Sequence, residues 1–285
     1  MADFLSDLIE KRHPRSLDQY DRALREIIQE IMLLALWRAK FFERAAFYGG
    51  TALRLLHGLD RFSEDLDFSL LGADPDFQLE TYFDAVSREL VAFGLEPTME
   101  HRRGTGPIES AFAKMNTLQS LIAVGVSERI RRSVPPNRLV KIRFEVDVDP
   151  PGSFATEARH VLEPVPFAVR AFAPGSLFAG KVHALLARRW VNRAKGRDWY
   201  DFVFFVSRGV PLDARHLEAR LRKSGHWTGG TLDVAGVQGM ISDTVENVDL
   251  DAAKDEVRRF LVDPRAIDVW SRDFFRDVAV RIRIA

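Results

Sequence analysis

The sequence predicts an α+β fold, with an N-terminal part that mixes strands and helices and a helix-rich C-terminal part. Three observations carry that reading. Runs alternating apolar and polar residues, at Leu66–Leu70 and Val140–Asp149, have the period of strands with one wet face. Apolar residues at helical spacing fill both ends of the chain. Beyond Ala173-Pro174-Gly175-Ser176 the strand pattern stops, which divides the 285 residues into 1–173 and 174–285, two modest domains in size.

In chain order, Ser16 is an N-cap candidate, and Tyr20, Leu24, Ile27, Ile28, Ile31, Leu34 and Ala35 continue a long helix from it. Ala46-Phe47-Tyr48 reads as a short strand closed by Gly49-Gly50, and Thr51–His57 as a helix ended by Gly58. Leu66, Phe68 and Leu70 then alternate with Asp65, Asp67 and Ser69, in a strand that the intervening helix returns beside the first. Phe77–Phe93 has helical spacing, Leu95–His101 returns as a strand, and 104–133 has no decisive pattern. From Val140 to Asp149, Ile142, Phe144, Val146 and Val148 face one way, and Lys141, Arg143, Glu145, Asp147 and Asp149 the other, until Pro150-Pro151 stops the run. Val161–Ala173 is extended. Helices follow over Leu177–Trp190, Asp198–Ser207, Asp213–Lys223 and Leu250–Val262.

Composition removes whole classes of function. With 46% hydrophobic and 29% charged residues the chain is neither disordered nor fibrous. Lys+Arg and Asp+Glu both number 41, so any nucleic-acid surface has to be local. The absence of cysteine excludes disulfides, thiolate metal sites and a cysteine nucleophile. The acidic start lacks the basic region of a secretory signal, and Ile31–Trp37 falls far short of the roughly 20 residues a bilayer span needs, so a cytoplasmic protein without a membrane partner is expected. Neither a Walker-type loop nor a nucleophile elbow is present, and His57 and His183, in apolar helical contexts, read as structural.

Two short patterns point to phosphate chemistry. Gly49-Gly50-Thr51 opens a helix, where free amide groups and the positive dipole end suit a phosphate. Asp65 and Asp67, two apart on a strand, send both carboxylates to one side, where they can hold a divalent cation through hard oxygen ligands. Alone, Gly-Gly-Thr is a common way to start a helix and Asp-x-Asp is more often a solvated strand face. Their order, with a short helix between them, makes a coherent triphosphate site. Glu145, Asp147 and Asp149 offer further acids on one face, although such a face also serves as a solvated partner for Lys141 and Arg143.

The segment Tyr48-Gly-Gly-Thr-Ala-Leu-Arg-Leu-Leu-His-Gly-Leu-Asp-Arg-Phe-Ser-Glu-Asp-Leu-Asp-Phe68 resembles the first motif of the AbiEii/AbiGii toxin nucleotidyltransferases of the DNA polymerase β-like superfamily. Three further blocks follow in the family's order: Lys141–Glu145, Lys181 within Ser176–Arg189, and Arg193–Asp201. The resemblance covers about Tyr48 to Asp201 and implies a nucleotidyltransferase-type mixed sheet flanked by helices.

It also implies roles. Asp65, Asp67 and Glu145 would hold two Mg2+ ions, with Asp147 the alternative third acid. Gly49, Gly50, Thr51, Ser63, Lys141, Lys181, Lys195, Asp198 and Asp201 would contact the NTP, and Lys181 and Asp198 would join the acids in catalysis. Threonine stands at Thr51, where the superfamily usually has serine. The implied activity is that of a toxin in a toxin–antitoxin or phage-defence (abortive infection) system, moving NMP to an RNA acceptor at the tRNA 3′ end, with a cognate antitoxin as partner. Transfer to a small molecule or protein, and a non-catalytic nucleotide-binding module, are the alternatives. Arg188, Arg189, Arg193, Lys195 and Arg197, interleaved with Trp190 and Trp199, would hold an RNA backbone and stack a base, and Arg129, Arg131, Arg132 and Arg138 form a second basic group. Solvated helix faces have the same composition.

Overall fold

The computed structural model describes residues 2–102, 106–123, 126–132, 134–187 and 195–285. Helices α1 (Ala2–Glu10) and α2 (Leu17–Arg38) precede strand β1 (Ala45–Tyr48), helix α3 (Gly49–His57) and strand β2 (Leu66–Leu70). Next come α4 (Phe83–Ala92), β3 (Thr98–Arg102), β4 (Ile108–Asn116), α5 (Thr117–Ala123), α6 (Glu128–Arg131), β5 (Leu139–Asp147), β6 (Thr156–Val161) and β7 (Phe167–Phe172). The rest is helical: α7 (Pro174–Ala187), α8 (Gly196–Ser207), α9 (Ala214–Lys223), α10 (Val234–Asn247), α11 (Leu250–Arg258) and α12 (Arg272–Ala279).

The strands form one mixed sheet in the order β3-β4-β5-β2-β1-β7-β6. β1 runs antiparallel to β2 and parallel to β7, β2 runs parallel to β5, and β4 is antiparallel to both β3 and β5. The two expected strands flanking α3 are therefore adjacent. The patternless stretch contains β4, the longest partner of β5; of the expected extended run Val161–Ala173, Val161 ends β6 and Phe167–Phe172 form β7, with Pro164 and Pro166, which have no ladder donor, between them.

The chain gathers into two compact units. The sheet unit comprises Met1–Leu56, Glu64–Pro150 and Ala158–Ala171, and the helical unit His57–Ser63, Pro151–Glu157 and Phe172–Ala285. In the sheet unit Ser16 caps α2 by accepting from the Gln19 amide, and Leu24, Ile27, Ile28, Ile31 and Leu34 are wholly buried. They share a core with Phe47, Phe68 and Phe144 of the strands. The acids buried on α2 have cations: both oxygens of Glu30 accept from Arg12, at 2.8 and 2.7 Å, Glu26 pairs with Arg54, and Asp21 with Arg25.

In the helical unit Phe178 stacks on Phe205 with centroids 4.8 Å apart, and Trp199 lies 4.5 Å from Phe275. Gly196 lets α8 approach α11 closely, because a Cβ there would stand 1.8 Å from the Ala253 carbonyl oxygen. His216 is fully buried against Phe154 and Phe172, with Nδ1 2.8 Å from the Gly152 carbonyl; burial drops its pKa to about 4, so it is neutral. Burial likewise lowers His183 to about 4, in keeping with a structural residue. Among the described residues no helix is long and apolar enough to cross a membrane.

Candidate functional site

The sheet unit brings the glycine turn and the acids together. β1 pairs with β2 so that Tyr48 stands opposite Asp67, and the next residue, Gly49, turns into α3 with φ +84°. A Cβ at Gly49 would lie 2.1 Å from an Asp67 carboxylate oxygen, so this carboxylate occupies space that only glycine leaves open. β2 and β5 run parallel with Asp67 opposite Glu145 and Ser69 opposite Asp147. Neighbouring strands in register project side chains to the same face, which sets Glu145, not Asp147, beside Asp67.

Arg143 lies among these acids, 3.4 Å from Asp65 and 3.2 Å from Glu145. Burial alone would lower its pKa, but Asp65, Glu145 and Asp67 together hold it above the ordinary arginine value. Both contacts are long and the side chain is 38% exposed, so the ion pairs are loose and separable. Lys141 is exposed at the outer end of β5, opposite Lys114, and its carbonyl accepts from Arg25.

Thr51 is buried, and its hydroxyl donates to the Asp65 carbonyl, so it pins the acid-bearing loop to α3. The first amide groups of α3, which have no acceptor within the helix, are what this turn offers a phosphate.

In the helical unit Lys181 and Asp201 do meet, but around an arginine that sequence reasoning left unassigned. Asp201 is wholly buried; Arg61 donates to its two oxygens at 2.6 Å each, and Lys181 adds a contact at 2.7 Å. Burial would raise the Asp201 carboxyl, yet Arg61 and Lys181 outweigh it and hold the group below the usual carboxylate range. Asp201 therefore anchors two cations inside the helical unit. Asp198, 4% exposed in the first turn of α8, adds to the negative field that holds the Arg61 proton. Lys195 is the N-cap of α8 and, like Ser63, is half-buried.

The basic groups fare differently. Arg188, Arg189, Trp190 and Arg193 lie outside the described residues. Arg197 is taken by Glu256 and the Phe260 ring, and Trp199 is fully buried, so it cannot stack on a base. Arg132 pairs with Glu128 and Arg138 with Asp21.

One group among the described residues has three metal-ligating atoms within 4.8 Å of one another: Glu80, His101 and Glu109 of the sheet unit. Its carboxylates flank opposite nitrogens of the ring, Nδ1 to Glu80 at 2.5 Å and Nε2 to Glu109 at 2.7 Å. An ion on one nitrogen would face away from the acid on the other, so this is a histidine bridge between carboxylates. Asp65, Asp67 and Glu145 are more widely spread, with Arg143 among them.

A family model described as nucleotidyl transferase AbiEii toxin, type IV toxin–antitoxin system, matches residues 31–278. Among solved structures the chain is similar to MenT4, a nucleotidyltransferase toxin of Mycobacterium tuberculosis H37Rv, at 20% identity over 98% of this chain and 99% of that one, with a TM-score of 0.50. It is also similar to JHP933 of Helicobacter pylori, at 15% identity over 90% of this chain and 86% of that one, again with a TM-score of 0.50. These likenesses show a shared fold. No curated protein matches the sequence.

Proposed function

The chain belongs to the AbiEii nucleotidyltransferase toxins of type IV toxin–antitoxin systems, and from that premise we propose that it transfers NMP from an NTP to the 3′ end of a tRNA. It is a nucleotidyltransferase enzyme, and its family implies an NTP substrate and an antitoxin partner. The acceptor, two-metal catalysis, a place in the cytoplasm and a part in phage defence belong to our reading.

One observation carries that reading: Asp67 lies against the Gly49 turn and directly across from Glu145, on the face that Asp65 shares. Three carboxylates supply the hard oxygen ligands magnesium takes, and the space a Gly49 Cβ would fill is kept for one of them. Asp65, Asp67 and Glu145 would thus hold Mg2+, which supplies Lewis-acid stabilisation of the attacking and leaving oxygens. The chain's own residues do the rest. Loose contacts let Arg143 withdraw from Asp65 and Glu145 and leave those acids free. The amides at Gly49 and Gly50 orient phosphate oxygens. Lys181, whose ammonium is held by Asp201 within the helical unit, is in our reading the phosphate-directed cation that the resemblance implies. The acceptor oxygen forms its bond to the α-phosphorus as the bond to pyrophosphate breaks.

Incubation of the protein with Mg2+, each labelled triphosphate in turn and total tRNA tests this. The expected result is labelled RNA, abolished by Asp67→Ala, and growth arrest of a bacterial host by the wild type alone. Equal labelling by the variant would rule out the mechanism, and label confined to protein would remove the tRNA acceptor.

A further inference from the structure

We infer that the helical unit carries a second ligand site: a pocket for one nucleobase bearing an exocyclic amine, held by Asp60, Tyr200, Phe204, Arg208, Trp270 and Phe274. These residues line a cavity of about 240 Å³. That is below the roughly 300–1,000 Å³ that encloses a drug-sized ligand, so the cavity holds a single ring system and leaves the rest of a nucleotide outside. Tyr200, Val203, Phe204 and Ser207, at i, i+3, i+4 and i+7, give it one continuous face of α8. At 100° per residue, Asp198 and Asp201 lie on other faces of the same helix. The pocket is therefore distinct from the residues proposed for catalysis.

Its chemistry selects the ligand. Tyr200 and Trp270 have centroids 6.5 Å apart at 49°, and Phe274 packs next to them through Phe275 at 5.2 Å, so the wall is aromatic. Such a wall takes flat rings by stacking. The Tyr200 hydroxyl donates to Asp60 Oδ1 at 2.7 Å; burial, then this bond, raises the phenol's pKa, so it stays a donor and fixes the carboxylate. Asp60 is exposed, and its other oxygen makes no hydrogen bond among the described residues. An unshared carboxylate oxygen beside an aromatic wall accepts from a base amine and repels a base that places a carbonyl there. Arg208 lies 3.8 Å from the centroid of the Phe204 ring and has no acidic partner among the described residues, leaving its charge for the phosphate attached to that base. A cationic ligand would also suit aromatics plus an acid, but Arg208 already holds that sign at the pocket.

The base has two possible sources, a free nucleotide or a single strand of nucleic acid, and the test separates them. Asp67→Ala protein in EDTA is titrated with cytidine monophosphate, uridine monophosphate, and oligocytidine and oligouridine of equal length, with tryptophan fluorescence as the signal. The cytosine ligands are expected to bind about tenfold more tightly than the uracil ligands, and Asp60→Ala to erase that difference. Arg208→Ala should weaken every ligand alike. Both substituted side chains are exposed, and far-UV circular dichroism verifies folding. Oligocytidine binding far tighter than the monophosphate assigns the base to a strand, and equal affinity assigns it to a free nucleotide. Equal binding of cytosine and uracil ligands, unchanged by Asp60→Ala, would overturn the proposal, as would tighter binding of arginine methyl ester than of any nucleotide. Because the test uses a catalytically disabled protein without metal, it can fail while the labelling assay succeeds, and the reverse.

Discussion

Asp201→Ala should unfold the helical unit under conditions in which the wild type is intact. The wild-type carboxylate is fully buried and takes three short bonds, two from Arg61 at 2.6 Å and one from Lys181 at 2.7 Å. Its removal leaves the Arg61 guanidinium, itself only 2% exposed, without a counter-charge. Removing one member of a buried ion pair costs about 3–5 kcal/mol, a large part of the roughly 5–15 kcal/mol that holds a domain together. With a urea dependence near 3 kcal/mol per molar, the midpoint should fall by about 1–1.7 M. Fluorescence follows the loss, since Trp199, Trp227 and Trp270 all belong to the helical unit. Lys181→Met is the informative companion: it keeps the stem and the Arg61–Asp201 pair, so it should cost only about 1 kcal/mol while transferase activity disappears. A midpoint for Asp201→Ala within 0.3 M of wild type, on the order of 1 kcal/mol, would refute the anchoring argument. So would Lys181→Met being equally destabilised.

Other predictions concern separate places. Gly49→Ala forces a Cβ onto Asp67 at a positive φ, and should cost about 1–3 kcal/mol in urea unfolding together with the labelling activity; full activity would show that the turn tolerates a side chain. His216, lowered from 6.5 to about 4, contributes stability that is complete above pH 6.5 and lost as pH falls toward 4, about 3 kcal/mol in all. A urea midpoint for the helical unit that stays flat between pH 7.5 and 4.5 would contradict this. Glu30 has the opposite sign: burial raises its pKa to about 7, so the folded sheet unit binds a proton the unfolded chain releases, and stability declines by about 3 kcal/mol as pH rises from 4.5 to 7. Glu30→Gln should flatten that decline when amide exchange on α2 is followed against pH.

How much of this was legible beforehand depended on the range of the interaction. The Asp65/Asp67 pair and the charged face of β5 follow from period two, a local property, and the glycine turn follows from residue type. β4 stayed hidden because its register is set by pairing with β5 and not by its own alternation. The glycines at 236 and 239 obscured α10, and α12 is too short to stand out. The Arg61–Asp201 pair spans 140 residues, and no local pattern relates them. Nor did anything in the sequence tell that Thr51 would spend its hydroxyl on a main-chain carbonyl, or that Trp199 would be sealed within the helical unit. Sequence shows which groups carry charge; only packing shows which charges are already spoken for.

The segment His57–Ser63 lies between α3 and β2 in the chain but belongs to the helical unit, and its Arg61 finds a counter-ion only at Asp201. During synthesis this arginine leaves the ribosome long before its acid does. Until Asp201 emerges, the guanidinium that the finished helical unit buries has no carboxylate to receive it.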